Sequence, residues 1–214
     1  MEQDTLQHKG MRKRLVETLI QKGISKPQVL DAIGKIPRHL FMESSFIKFA
    51  YKDNAFPIGA GQTISQPFTV AFQTQLLNPG NGDKILEIGT GSGYQAAVLL
   101  EMGAQVFTIE RQQELYIKVQ QLLPQIGYFP RFFFGDGYKG LPTYGPFDGI
   151  LVTAGAPYVP DDLKQQLKIG GRLVIPLTQG DSQIMTVITR SGENDFEMHE
   201  HGRFSFVPLL KGTQ

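Results

Sequence analysis

The chain has 214 residues, and its 21 lysine and arginine residues nearly balance its 20 aspartate and glutamate residues, giving a formal net charge of +1. Such a balance gives no electrostatic reason to expect a nucleic-acid partner or a polybasic membrane contact. The absence of cysteine excludes disulfides, thiolate nucleophiles and cysteine-ligated metal sites. Because neither a secretory signal nor a run of about 18 apolar residues is recognisable, we expect a cytoplasmic protein without a membrane partner.

The first 80 residues predict helices and one irregular segment. Apolar residues at helical spacing predict a helix that ends near Gly23, and Pro27 begins a second helix that stops before Pro37. Residues 51–66 contain proline and glycine without periodicity, which predicts a loop. Another helix is expected over Pro67–Leu77, since a proline opens it and a second proline follows its end.

From residue 83 onward, short apolar runs alternate with helical stretches. The predicted strands are Lys84–Ile88, Gln105–Glu110, Phe132–Phe134, Gly149–Val152 and Arg172–Ile175. The predicted helices between them are Tyr94–Met102, Gln112–Gln125 and Asp161–Lys168. Strands that alternate with helices indicate a parallel sheet covered on both faces. Gln183–Arg190 and Phe196–Phe206 leave no room for a crossover helix, so we expect them to form an antiparallel hairpin at the sheet edge.

These elements predict an α/β fold with an open, mostly parallel, Rossmann-like sheet and helices on both faces. We expect a single domain over residues 1–214. Within it, residues 1–80 form an N-terminal helical addition with a loop, and residues 81–214 form the ligand-binding core with its C-terminal hairpin.

A glycine-rich turn follows the first strand of the core. Gly89, Gly91 and Gly93 stand at alternate positions between that strand and the next predicted helix. Glycine allows a sharp turn and a close approach by a ligand, and the carboxyl ends of the strands are the usual ligand site in such a sheet. The sixth position counted from Gly89 is Tyr94, so the turn is no dinucleotide fingerprint, and it lacks the lysine of a phosphate loop.

Two acidic residues accompany the turn. Glu87 precedes Gly89 by two residues, and Glu110 ends the next strand 21 residues after Gly89. That separation is close to the ~20 residues expected of a carboxylate that binds a ribose. An acid beside the turn disfavours pyrophosphate and suits a ligand that carries an ammonium or sulfonium group. The alternative is a tight strand–helix connection without a ligand.

The spacing resembles the S-adenosylmethionine site of class I methyltransferases, whose first motif is acid-x-Gly-x-Gly-x-Gly. The resemblance implies that Glu110 binds the ribose hydroxyls. It also implies that Asp136, which follows the third strand, lies near the adenine. A turn or helix-capping aspartate is the alternative interpretation of Asp136.

A narrower resemblance covers nearly the whole chain. The segments that carry it are Ile36–Phe41, Ala50–Pro67 with its Thr-Ile-Ser-Gln-Pro ending, Gly89–Tyr94, Val152–Thr153 with Pro160, Gly170–Pro176 and Phe206–Leu209. Together they resemble protein-L-isoaspartate O-methyltransferases. This family transfers a methyl group from S-adenosylmethionine to the α-carboxylate of L-isoaspartyl residues in damaged proteins and peptides, which initiates their repair.

The resemblance assigns residues to roles. It implies Ser65 as the active-site residue, with Thr63, Ile64, Ser65 and Val207 binding the substrate. The cofactor-binding residues that it implies are Gln62, Thr63, Ile64, Glu87, Gly89, Thr90, Gly91, Ser92, Gly93, Glu110, Arg111, Asp136 and Gly137. No metal is expected. From position alone, Ser65 is also suited to cap the helix opened by Pro67, and Val207 to be an ordinary apolar edge residue.

Two other functions stay open on the sequence. One is a class I methyltransferase that acts on a small molecule or RNA, and the other is a non-catalytic module that binds S-adenosylmethionine. The acceptor that takes up the methyl group distinguishes the first from repair of isoaspartyl proteins, and turnover on any isoaspartyl peptide excludes the second.

Overall fold

The computed structural model describes residues 3–214, and within that range the chain forms six α-helices and nine β-strands. The helices are α1 (Leu6–Gln21), α2 (Pro27–Lys35), α3 (Pro67–Leu77), α4 (Tyr94–Glu101), α5 (Gln113–Gln125) and α6 (Asp161–Gln165). The strands are β1 (Phe56–Gly59), β2 (Gln62–Ile64), β3 (Lys84–Ile88), β4 (Gln105–Glu110), β5 (Arg131–Phe134), β6 (Phe147–Val152), β7 (Leu167–Gln179), β8 (Ser182–Arg190) and β9 (Phe196–Phe204).

Seven of these strands form one sheet in the order β5-β4-β3-β6-β7-β8-β9. The first five in that order are parallel, and β8 and β9 join them antiparallel, which confirms the predicted α/β fold with an edge hairpin. The chain moves outward from β3 through β4 to β5 and then returns to the other side of β3 as β6. The direction therefore reverses between β3 and β6, where ligands bind in open α/β sheets.

The central strand β3 carries three apolar residues among its five, because helices cover both faces of the sheet. Ile85, Leu86 and Ile88 are each at most 1% exposed and pack into cores on opposite faces. Helix α3 spans the predicted residues and ends at Asn78, which adopts a left-handed conformation that stops the helix. No helix within residues 3–214 has the length and apolar character needed to cross a bilayer.

Three segments differ from the sequence prediction by more than two residues, and one of them is β7, which was predicted over Arg172–Ile175 but spans Leu167–Gln179. Residues 51–66, predicted as a loop, contain the short antiparallel pair β1 and β2, whose connection takes positive φ at Gly59, Ala60 and Gly61. Helix α6 was expected to reach residue 168 but ends at Gln165, because Leu167 already pairs with Phe147 in the sheet.

Candidate functional site

The glycine turn after β3 is built so that only glycine fits. Gly89, Gly91 and Gly93 have φ values of +94°, +53° and +81°, which L side chains rarely adopt. A Cβ atom at Gly89 would lie 2.6 Å from the hydroxyl of Thr153. That hydroxyl donates a hydrogen bond shared between the carbonyls of Ile88, at 2.9 Å, and Gly89, at 2.8 Å. Thr153, which follows β6 and carries no role from sequence, therefore fixes the turn.

A cavity, here named the inner cavity, opens beside this turn at the carboxyl ends of β3, β4 and β6. The residues predicted from sequence that line it are Gln62, Thr63, Ile64, Ser65, Gly89, Thr90, Gly91, Ser92, Glu110, Arg111, Gly137 and Val207. Three predicted residues, Glu87, Gly93 and Asp136, lie outside its lining. The turn, the end of β4 and strand β2 with Ser65 after it thus come together as the sequence indicated.

Glu110 presents a buried carboxylate to the inner cavity, and backbone amides hold it in place. Its Oε2 accepts a hydrogen bond from the Gly91 amide at 2.9 Å, while its Oε1 accepts from the amides of Arg111 and Gln112, each at 2.8 Å. The residue is 5% exposed. Because a carboxylate has about four acceptor positions, three amides leave room for a ligand hydroxyl.

Glu87 supports the turn from beneath and is fully buried. The Thr108 hydroxyl donates to its Oε2 at 2.5 Å, and the same hydroxyl lies 2.6 Å from the hydroxyl of Thr90 in the turn. Burial raises the pKa of Glu87 to about 8, with a smaller contribution from the charge of Glu110 and an opposing one from the Thr108 hydrogen bond. At neutral pH the carboxyl is therefore mostly protonated, and Glu110 supplies the negative charge at the cavity.

Asp136 holds the C-terminal segment against the core. Its Oδ1 accepts from the Tyr138 amide and its Oδ2 from the Gly212 amide, both at 2.9 Å. Arg111 donates to the Gly212 carbonyl at 3.0 Å. The segment that these contacts anchor includes Leu209, which closes one side of the inner cavity. The contact of Asp136 with the Tyr138 amide is the turn geometry that the sequence offered as an alternative. The contact of Asp136 with the Gly212 amide joins residues 76 apart and leaves no pattern in the sequence.

A second depression, here named the outer cleft, adjoins the inner cavity. Its lining consists of Ala55, Thr63, Ser65, Gln66, Phe68, Thr69, Thr153, Arg203, Phe204, Ser205, Phe206 and Val207. Four of these residues, Thr63, Ser65, Thr153 and Val207, also line the inner cavity. They form the junction between the two depressions. Among the residues that the structure describes, no aspartate or glutamate lines the cleft.

The N-terminus of α3 is capped by Asp53 rather than by Ser65. Asp53 Oδ1 accepts from the Phe68 amide at 2.8 Å, and its Oδ2 accepts from the Gln66 side chain at 3.0 Å. In the described range 3–214, the Ser65 hydroxyl makes no hydrogen bond, although its carbonyl accepts one from Arg38. The capping interpretation of Ser65 is therefore wrong, and the hydroxyl is available at the junction.

Arg38 holds the main chain of this region from inside the protein. Its side chain is fully buried and donates to the carbonyls of Ala50 at 3.0 Å and Ser65 at 2.9 Å. The guanidinium lies 4.7 Å from the centre of the Tyr94 ring. Burial lowers the pKa of Arg38 to about 10, so the group stays charged at neutral pH. Sequence reasoning missed this residue, because only the folded chain brings positions 38, 50 and 65 together.

Outside both depressions, Asp4, His8 and His39 bring potential metal ligands within 4.8 Å of one another. Arg12 donates to both carboxylate oxygens of Asp4, at 3.1 and 3.0 Å. The guanidinium thus already neutralises the anionic group that would attract a cation.

Comparisons with known proteins were made for the whole chain. The model of the family described as protein-L-isoaspartate(D-aspartate) O-methyltransferase matches residues 10–214, which include every residue that lines the two depressions. The chain is 63% identical over 209 residues to a Flavobacterium johnsoniae protein named protein-L-isoaspartate O-methyltransferase, covering 97% of this chain and 98% of the relative.

Solved structures show the same fold. One described as a protein-L-isoaspartate O-methyltransferase is 27% identical with a TM-score of 0.84, and the match covers 92% of this chain but only 65% of that longer chain. Another, described as the Plasmodium falciparum protein-L-isoaspartate O-methyltransferase in complex with S-adenosyl-L-homocysteine, is 24% identical with a TM-score of 0.82. That second match covers 94% of this chain and 99% of the other.

Proposed function

The chain belongs to the protein-L-isoaspartate(D-aspartate) O-methyltransferase family, and from that premise we propose how its two depressions divide the reaction. It is a methyltransferase that acts on isoaspartyl residues of damaged proteins and so initiates their repair, as the motifs predicted. The inner cavity binds S-adenosylmethionine and the outer cleft binds the isoaspartyl peptide. Ser65 orients the acceptor carboxylate between them.

The junction of the two depressions carries this proposal. Methyl transfer requires donor and acceptor to approach within a few ångströms in line, and a shared wall is the one place where ligands in separate depressions can meet. Thr63, Ser65, Thr153 and Val207 form that wall. Of these four, Thr63 and Ser65 carry hydroxyls free of hydrogen bonds within residues 3–214, whereas the Thr153 hydroxyl is bonded to the glycine turn. Between Thr63 and Ser65, the family resemblance assigns the orienting role to Ser65.

The inner cavity suits S-adenosylmethionine in shape and charge. The glycine turn provides a wall without side chains, and Glu110 offers acceptor positions for the ribose hydroxyls. When bound, S-adenosylmethionine would supply a methyl group on a positively charged sulfonium. Glu87 and Gly93 support the turn from behind the wall, and Asp136 acts by anchoring the segment that contains Leu209.

The outer cleft suits an anionic acceptor. An exposed α-carboxylate has a pKa near ~3.5, so it is already ionised at neutral pH and needs no general base. Within residues 3–214, the lining contributes no carboxylate that would repel it. Ser65 donates a hydrogen bond that fixes one carboxylate oxygen. Excluding water from the junction strengthens the attraction between the anionic oxygen and the sulfonium.

The substrate peptide binds in an extended conformation. The carbonyls of Ser65 and Val207 already accept hydrogen bonds from Arg38 and Gly155. The peptide therefore pairs with the amides of these two residues and with the free edge of β2 at Thr63 and Ile64, and pairing with main-chain groups accommodates many substrate sequences, as strand addition does. The partners of the chain are therefore proteins and peptides with exposed, flexible isoaspartyl sites.

A pair of synthetic peptides tests the proposed function. The two peptides have one sequence and differ only in an aspartyl or an isoaspartyl linkage, and methyl incorporation from labelled S-adenosylmethionine is measured with each. We expect incorporation with the isoaspartyl peptide alone. Equal incorporation in both peptides, or incorporation only into an RNA or small-molecule acceptor, contradicts the proposal.

A further inference from the structure

Three phenylalanine rings form one wall of the outer cleft. We name Phe68, Phe204 and Phe206 the aromatic shelf, since all three line the cleft and are partly exposed. The Phe68 and Phe204 rings are stacked with centroids 6.2 Å apart, and the Phe204 and Phe206 centroids are 6.4 Å apart. Phe72 packs behind, at 5.7 Å from Phe68 and 5.2 Å from Phe204, without lining the cleft.

The shelf lies close to the junction. Phe68 follows Ser65 by three residues, and Phe204 precedes Val207 by three residues. Three residues of extended chain span about 10 Å at most. A substrate whose isoaspartyl residue sits at Ser65 therefore brings side chains within about three residues of the linkage over the shelf.

We propose that the aromatic shelf is a specificity subsite that takes an aromatic or large aliphatic side chain of the substrate peptide. This inference rests on the proposed function, because it takes the occupant of the cleft to be an isoaspartyl peptide. Continuity with the junction identifies that occupant, since the cleft and the inner cavity share four residues. Partly exposed rings gain free energy when an apolar side chain covers them, whereas a polar side chain gains little.

The expected decrease in KM follows from the apolar area of the side chain that the rings cover. An apolar side chain that buries about half its surface on the rings lowers KM by about tenfold relative to alanine. The turnover number should change little, because the contact forms equally in the bound substrate and in the transition state.

A phenylalanine scan of the substrate tests the subsite. Isoaspartyl peptides with alanine at every other position receive a single phenylalanine at each of the three positions on either side of the linkage. We expect the wild-type chain to show the tenfold lower KM at one or two of these positions. Phe68→Ala should abolish that advantage, whereas Phe72→Ala, which alters the same cluster outside the cleft, should retain it.

Several outcomes overturn the subsite. One is that phenylalanine lowers the KM of the wild type at none of the six positions. Another is that the lower KM persists in Phe68→Ala, and a third is that it is lost equally in Phe72→Ala. A dimer that buries the shelf in sedimentation measurements also contradicts it. Should Phe68→Ala fail to fold, Phe204→Leu keeps an apolar side chain, and we expect it to reduce the advantage to about threefold. Turnover of the all-alanine isoaspartyl peptide tests the proposed function separately, and its absence contradicts that function alone.

Discussion

The glycine turn at residues 88–94 and the segment at residues 50–68, here named the substrate segment, border the same junction but are held by different contacts. The turn is fixed by Thr153 and Glu110, which lie at the ends of β6 and β4, the strands on either side of β3. The substrate segment is fixed by the buried Arg38 and by Asp53 within the segment itself. Sheet register thus builds the glycine turn, which is the wall we propose for the cofactor, whereas a few polar side chains hold the substrate segment, which is the wall we propose for the substrate. Substitutions should therefore affect the two walls separately.

The largest effect is expected at Arg38, where Arg38→Met removes the support of the substrate wall. The carbonyls of Ala50 and Ser65 lose their hydrogen-bond donor, and the Asn54 carbonyl loses a longer bond of 3.4 Å. At about 1–3 kcal/mol for each carbonyl in the two shorter bonds, the free energy of unfolding should fall by about 2–6 kcal/mol. Urea unfolding measures this loss, with Arg14→Met on the exposed surface of α1 as the control. A loss no larger than that of the control contradicts the assigned support.

Glu110→Gln tests the cofactor wall and is expected to give the next largest effect. Removing the charge weakens the hydrogen bonds that this side chain accepts, each worth about 1.5–3 kcal/mol when a charged group takes part. The affinity for S-adenosyl-L-homocysteine should fall by about 100-fold, which calorimetry measures directly. The exposed Glu17→Gln is the charge-matched control. An affinity within about twofold of wild type would show that the ribose site lies elsewhere.

Glu87→Gln tests whether the Glu87 carboxyl beneath the turn is protonated in the folded chain. Because the folded pKa is raised from 4.5 to about 8, the folded chain keeps a proton that the unfolded chain has already lost. The stabilisation is complete below pH 4.5 and should decline as the pH rises to about 8. Glu87→Gln cannot ionise, so its urea midpoint should fall less than that of the wild type between pH 5.5 and 7.5. Parallel declines in both proteins contradict a raised pKa.

The smallest effect is expected at Asp53, because Asp53→Asn keeps an oxygen acceptor for the Phe68 amide and loses the charge and the second oxygen, which accepts from the Gln66 side chain. The variant removes the ion pair with Lys22 and weakens the favourable interaction with the N-terminus of α3. We expect a loss of about 1 kcal/mol in the free energy of unfolding. An unchanged stability would indicate that another group caps the helix.

The success of the sequence prediction differs between the glycine turn and the substrate segment. Helix α3 was predicted with its observed bounds, and β3, the glycine turn and Glu110 were located, because each depends on neighbours along the chain. The contacts of Arg38 with Ser65 were not predicted, since they join positions 27 residues apart without a repeating pattern.

The remaining differences have physical causes of the same kind. The pair β1 and β2 has strands of four and three residues, too short for alternation to be recognised. Ser65 occupies a position that suits a helix cap, yet the side chain of Asp53, twelve residues earlier, accepts the hydrogen bond from the Phe68 amide. Glu87 was expected to present its charge to the ligand, but complete burial keeps it mostly protonated.

Ser65→Ala tests most directly that the two depressions meet at an orienting hydroxyl. A hydrogen bond to a charged group is worth about 1.5–3 kcal/mol, so turnover of the isoaspartyl peptide should fall about 10- to 150-fold. The affinity for S-adenosyl-L-homocysteine should stay within about threefold of wild type, and Ser205→Ala, which alters the outer cleft away from the inner cavity, should retain turnover. Unchanged turnover in Ser65→Ala, or a loss of cofactor affinity as large as the loss of turnover, would contradict the account.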